Sequence, residues 1–180
     1  MSLTIQLPVR TDQTEFNLAR WEEVLADSAF ARLEGRFETN RYGHLVHMPP
    51  PAFRHARLQR RIASLLDQLM ESGETATECP VSTADGVKGI DVVWLTDDQL
   101  AKSEDHSCVP FAPAICVEVR SPGNSTAELE EKKALSFESG ASEVWICQEN
   151  AAMHFFLREE PEAVARQSRL CPGIPDQIDL

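Results

Sequence analysis

The sequence predicts a mixed α/β domain, a central mixed β-sheet flanked by helices, and three features carry that expectation. Phe53 to Met70 repeats leucine and isoleucine at steps of three and four, as an amphipathic helix does. KGIDVVWLT and PAICVEVR are short, nearly continuous apolar runs, which suit strands buried on both faces. A helix-capping pattern beginning at Ser125 then separates the second run from a further one, VWICQ, so strand and helix alternate.

Taken in order, residues 1–30 read as an N-terminal helical segment, with Phe16, Leu18, Trp21, Val24 and Leu25 at helical spacing. From Leu33 the period changes. LEGRFET and HLVHM flank NRYG, whose asparagine, glycine and length suit a hairpin turn. Glu38 then stands near the end of the first strand, and three prolines after Met48 stop the second. In the helix that follows, Leu58, Ile62, Leu65, Leu66 and Leu69 form one stripe. His55 falls on its edge at the helix start, facing inward or toward a cleft, while Arg54, Arg57 and Arg61 flank the other side.

Ser72 to Glu78 reads as a polar connection, ECPVS and KGIDVVWLT as strands, and Asp97 to Val109 as an acidic surface loop. Strand alternation groups Asp91 with Val93 and Leu95; it puts Ile115, Val117 and Val119 on one face, and Cys116, Glu118 and Arg120 on the other. Ser121-Pro122-Gly123-Asn124 breaks that strand, Ser125-x-x-Glu128 is a capping box, and Gly140 stops the helix. VWICQ and MHFFL close the core, residues 31–158, as a hairpin. The tail, 159–180, reads as irregular, with at most a short strand at Gln177 to Leu180.

A chain of 180 residues suits a single domain, 1–180, and 42% apolar and 26% charged residues are ordinary for a globular protein. No stretch approaches transmembrane length, so no membrane partner is expected. The N-terminus lacks a basic region followed by an apolar core, which points to the cytoplasm. Five scattered cysteines without CxxC spacing suggest neither a disulfide framework nor a zinc site. A net charge of −12 argues against holding nucleic acid by bulk electrostatics. Between Arg32 and Arg61, however, seven arginines meet two acids, a local net of +5. A solvated helix face is the plain reading of such a run.

Asp91 and Glu118 lie within apolar runs. A buried carboxylate normally neutralises, finds a partner or binds a metal, because burying an unpaired charge is costly. On adjacent strands the two would come close together, with a lysine approaching from the next helix. Like charges so near one another are relieved by a cation between them, and a hard divalent ion such as Mg2+ is the natural occupant. Structural readings stand beside this one: Glu118 in a buried ion pair with Arg120 or a lysine, Lys132 as a helix-surface partner of Glu128, Glu38 as a surface strand residue, and His55 as a hydrogen-bonded structural histidine.

The ordered set ID(91)VVWL, VE(118)VRSP, a lysine one turn past an acid, and ESGASEVWI resembles the Uma-type family, classed with the restriction endonucleases in the PD-(D/E)xK nuclease superfamily. The likeness runs from about Phe16 to Leu157 and includes FETNRYGHLVHMPPPAFRH; LCPGIPDQIDL is similar to the family's C-terminal ending. It implies a restriction-endonuclease-like core and a DNA endonuclease dependent on Mg2+ (or Mn2+); cutting both strands is easier with two sites, so a homodimer is expected. It further implies catalytic roles for Asp91, Glu118, Lys132 and Glu38. Asp91 and Glu118 would bind the metal, with a backbone carbonyl near Val119 and with Glu38 through water, and Lys132 would contact the phosphate or orient the attacking water.

The superfamily's lysine stands two residues after the glutamate, where this chain has Arg120; an arginine stays protonated and cannot serve as a base. The Uma-type pattern takes its lysine from the following helix. Ile90 replaces a proline of the pattern, Glu128 an aspartate and Ser136 an aromatic residue. Counting from Glu128 and Gly140 selects Lys132, whereas counting from Phe137 selects Lys133. The candidate nucleic-acid contacts are His55, Arg54, Arg57, Arg61 and Arg120. Two other functions fit the same residues: a non-catalytic interaction or regulatory domain retaining the nuclease fold, and a metal-dependent hydrolase of a smaller phosphodiester.

Overall fold

The two apolar runs expected as central strands lie side by side within a six-stranded sheet in a computed structural model, which describes residues 12–28 and 35–180. The elements are α1 (Gln13–Ala26), β1 (Arg36–Thr39), β2 (Leu45–Met48), α2 (Phe53–Leu69), β3 (Glu74–Thr83), β4 (Gly86–Leu95), α3 (Asp97–Ala101), β5 (Ile115–Val119), α4 (Thr126–Glu138), β6 (Glu143–Cys147), β7 (Met153–Leu157) and β8 (Glu160–Ala165). The sheet runs β3-β4-β5-β6-β7-β8; β5 and β6 are parallel and every other pair is antiparallel. β1 and β2 form a separate antiparallel hairpin.

The parallel pair requires a crossover, which α4 supplies. Its N-terminus has the expected capping box: the Ser125 hydroxyl accepts from the Glu128 N–H, and the Glu128 carboxylate accepts from the Ser125 N–H. At the other end Gly140, at φ +122°, takes the left-handed conformation that ends helices at low steric cost. The expected turn of β1–β2 is also present, with Gly43 at φ +78°.

Helices cover both faces of the sheet. Leu58, Ile62 and Leu66 of α2 pack on Val92, Trp94, Ile115, Val117 and Trp145, and the tail adds Cys171, Ile174 and Ile178 to that core. On the opposite face Leu129 and Phe137 of α4 pack on Ile90, Val93, Cys116, Val144 and Ile146. This double coverage is why β4 and β5 are written as continuous apolar runs. A smaller cluster joins Trp21 and Val24 of α1 to Val87 and Cys108. All five cysteines are free and buried; burial pushes the Cys79, Cys108 and Cys147 thiols up to about 12, so they stay protonated and unreactive.

Several expectations are corrected. β3 begins at Glu74, inside the stretch read as a polar connection, because an edge strand needs little apolar sequence. The acidic loop contains α3, capped by Thr96 and Gln99. The tail contains β8, an edge strand whose exposed, charged sequence conceals it and whose Pro161 an edge tolerates. At the terminus Gln177 makes only an isolated bridge to Ala152. Leu25 and Leu69 are exposed rather than buried with their stripes. The early part of the N-terminal segment and the hairpin's start at Leu33 lie outside the described residues. Among the described residues no helix is long and apolar enough to cross a membrane.

Candidate active site

The register between β4 and β5 brings the two strand acids together. Val92 pairs with Val117 and Val93 with Cys116, so continuing the ladder sets Asp91 level with Glu118. There the side chain replaces the backbone as acceptor: the Val119 N–H donates to Asp91 Oδ2 at 2.7 Å. Both acids are buried, at 2% and 3% exposure.

The alternation expected around Asp91 breaks. Ile90 and Val93 both belong to the core under α4, whereas Val92 belongs to the core under α2. Across the ladder Glu78 has φ +53°, at the one position unpaired between Thr77–Val92 and Cys79–Ile90. The Asp91 carboxylate accordingly meets α2, with His55 Nε2 3.2 Å from Oδ1.

From the first turns of α4, Lys132 reaches Glu118 Oε2 at 3.1 Å and Glu38 Oε1 at 3.6 Å. Glu38 is itself buried and accepts from the Gly89 N–H at 3.2 Å. Lys133 points elsewhere, to Glu130 at 2.6 Å and Glu162 at 3.6 Å, with its ammonium 4.3 Å from the centroid of the Phe156 ring. Thus Asp91, Glu118, Lys132 and Glu38 converge, and Lys133 does not. The expected exposed pairing of Lys132 with Glu128 gives way because the Glu128 carboxylate caps Ser125.

Electrostatics are uneven across this group. Burial pushes the Glu118 carboxyl up to about 8, with Lys132 opposing the rise and the charges of Asp91 and Glu38 adding to it. Burial would also raise Asp91, but His55, the Val119 N–H and Lys132 outweigh it and hold that carboxyl below the usual range. Burial works against the Lys132 ammonium, yet Glu118, Glu38 and Asp91 raise its affinity for its proton above the ordinary lysine value. Glu118 Oε1 is buried without a hydrogen-bond partner. An unsatisfied carboxylate oxygen beside a second carboxylate is what a divalent cation would complete, so these residues fit a metal.

The acids open onto a cleft of about 310 Å³, lined also by Pro49, Pro50 and Pro51 and by the turn at Gly123 and Asn124. His55 lines it and turns Nδ1 to the Ser121 hydroxyl at 2.9 Å. Arg54, Arg57 and Arg61 stand exposed on α2, outside this cleft. Arg54 Nε donates to the Glu149 carbonyl at 3.1 Å, and the Arg57 guanidinium lies 5.8 Å from the Phe53 ring centroid. Arg120 makes hydrogen bonds to Thr126 at 2.9 Å and Gln148 at 3.4 Å, so the ion pair with Glu118 belongs to Lys132 instead.

Three residues of the site were missed in the sequence. Arg36 pairs with Glu78 and reaches Asp91 Oδ1 at 3.3 Å, and Gln59 donates to Glu78 Oε1 at 2.6 Å and to the Asp91 carbonyl at 2.8 Å. Two signals pointed to them. Arg36 sits two residues before Glu38 on one strand face, and Gln59 is a polar residue one helical turn after His55 on an otherwise apolar stripe. Glu78 had no such signal, since its direction depends on the irregularity at its own backbone.

A mixed sheet covered by helices on both faces, with acids on two adjacent strands and a lysine returning from the crossover helix, defines a restriction-endonuclease-like fold. The chain belongs to the Uma2 family, described as "Putative restriction endonuclease", whose model matches residues 21–180. Among solved structures, one from Anabaena variabilis ATCC 29413, described as "a putative nuclease belonging to DUF820", is similar with a TM-score of 0.62. It shares 15% sequence identity, over 81% of this chain and 90% of that one, a likeness of fold. No curated protein sequence matches the chain. Family and fold together support a nuclease.

Proposed function

We propose that the chain is a divalent-metal-dependent DNA endonuclease in which Asp91 and Glu118 hold Mg2+ or Mn2+ and Lys132 engages the scissile phosphate. The observation that carries this reading is Glu118: a buried carboxylate with one oxygen on Lys132, the other without a partner, level with a second buried carboxylate. As a purely structural ion pair it would be poorly made, because a buried pair repays desolvation only when its remaining lone pairs are satisfied.

When bound, the metal would supply charge stabilisation and an activated water for attack on phosphorus. The protein's own residues do the rest. The Val119 N–H fixes the Asp91 carboxylate, and Glu38 holds Lys132 beside Glu118 while leaving its remaining ammonium protons for a phosphate oxygen. Lys132 stays protonated in that acidic surround, so it acts as a positive hydrogen-bond donor and not as a base. The exposed arginines of α2 offer the backbone of DNA a basic strip on a chain that is otherwise acidic, and a homodimer would place one site on each strand.

Incubation of supercoiled plasmid with the protein and Mg2+ or Mn2+ tests this proposal. Nicked circles that vanish in EDTA and in Glu118→Gln support it. Metal-loaded protein that leaves plasmid intact would favour the non-catalytic interaction domain.

A further inference from the structure

Beside Glu118, on the α2 side of Asp91, a second group of ligand atoms comes together. One atom each from His55, Glu78 and Asp91 lie within 4.8 Å of one another. His55 is 6% exposed, and with Nδ1 turned to Ser121 its Nε2 is the nitrogen left facing the acids. That nitrogen is buried and lies 3.2 Å from Asp91 Oδ1, a contact short of a well-aligned hydrogen bond. Histidines that bind metals are commonly held in this manner, one ring nitrogen oriented by a hydrogen bond and the other offered to the ion. Glu78 is oriented too, by Gln59 at 2.6 Å and by a left-handed backbone that a glutamate adopts only under constraint. The Arg36 guanidinium now supplies the positive charge between Glu78 and Asp91. Its side chain is part-exposed, at 28%.

We infer that His55, Glu78 and Asp91 form a second cation position, which takes a divalent transition ion such as Mn2+, Co2+ or Zn2+ in preference to Mg2+. The preference follows from the ligands, since imidazole suits first-row transition ions whereas Mg2+ favours oxygen and keeps its waters. Asp91 also belongs to the proposed Glu118 position, so the two positions would share that carboxylate. The paired arrangement rests on the proposed Asp91–Glu118 position. The His55 position itself does not.

Titration of the metal-free protein with Co2+, followed by calorimetry and by the visible absorption and histidine NMR shifts of bound Co2+, separates the two positions. Two Co2+ per chain are expected in the wild type, and one in His55→Gln and in Glu78→Gln, with loss of the imidazole signals. Glu118→Gln should remove the other ion and keep those signals. Should His55→Gln fail to fold, Glu78→Gln carries the same test. Folded variants of His55 and Glu78 that bind as many Co2+ as the wild type would overturn the inference. A wild type whose only ion is lost in His55→Gln but kept in Glu118→Gln would instead uphold this position and defeat the Asp91–Glu118 one.

Discussion

The backbone N–H of Val119 donates to the Asp91 carboxylate at 2.7 Å, so the strand that presents Glu118 also orients the acid on its neighbour. A side chain here takes the place of the next rung of the ladder. The two strands therefore meet through an oriented carboxylate at the point where they open to the cleft.

Metal binding should release protons. Glu118 titrates near 8 in the metal-free protein, against an ordinary value of 4.5, so between those values the folded chain holds a proton that the unfolded chain has lost. This contribution to stability is fully present below the unfolded value and is lost as pH rises through about 8. The Tm of metal-free protein should show a falling component from Glu118 across that window, absent in Glu118→Gln. Mg2+ affinity should rise with pH and level off above it, because the ligand must be deprotonated. Calorimetry in buffers of different ionisation enthalpy measures the protons released, and equal heats across buffers at pH 6 would contradict the assignment.

Lys132 and Lys133 should separate cleanly. Lys132→Met removes the only lysine on Glu118 and Glu38 among the described residues, and plasmid cleavage should fall by about 10²-fold or more, the scale for one preorganised donor. Lys133→Met disturbs the pairing with Glu130 and Glu162 and the packing on the Phe156 ring, remote from the cleft, and cleavage per folded molecule should stay within a few fold.

The arginines of α2 should act through phosphate charge alone. Replacing Arg54, Arg57 and Arg61 by glutamine should weaken DNA binding and lower the slope of log K against log salt by up to about 3, roughly 0.9 for each phosphate that an arginine no longer neutralises. Fluorescence anisotropy over a salt series reads the slope, and an unchanged slope would make these arginines a solvated face only.

Glu143 should hold down the C-terminal segment. Its buried carboxylate accepts from Trp145 Nε1 at 2.8 Å, the Ser168 hydroxyl at 2.7 Å, and the N–H groups of Arg169 at 2.7 Å and Leu170 at 2.8 Å. Glu143→Ala leaves those donors unpaired and should cost about 2–4 kcal/mol, the order for several buried groups stripped of one acceptor. Denaturant unfolding measures the loss, and amide exchange should quicken first at Arg169 and Leu170.

Much of this was legible because the buried elements state their environment locally. α4 announced itself by Ser125, Glu128 and Gly140, and β4 and β5 by their apolar runs, so Asp91 and Glu118 stood out as acids that needed a reason. Lys132 is favoured over Lys133 by counting from Glu128 and Gly140 along the family's pattern, although the count from Phe137 favours Lys133. What escaped depended on distance in sequence or on irregular backbone: Glu78 stands opposite Asp91 through the β3–β4 register, with its own backbone at φ +53°, and β8 is held by pairing with β7 instead of by its own composition. Arg36 and Gln59 were readable from phase but lay among residues with ordinary structural explanations.

The most direct measurement is anomalous diffraction from crystals soaked in Mn2+, chosen because its signal locates the ion independently of the protein coordinates. A peak with oxygens of both Asp91 and Glu118 within about 2.3 Å, the reach of such coordination, and with Lys132 beside it, is the predicted result. Crystals that bind Mn2+ elsewhere, with Glu118 still closed on Lys132 alone, would contradict the account.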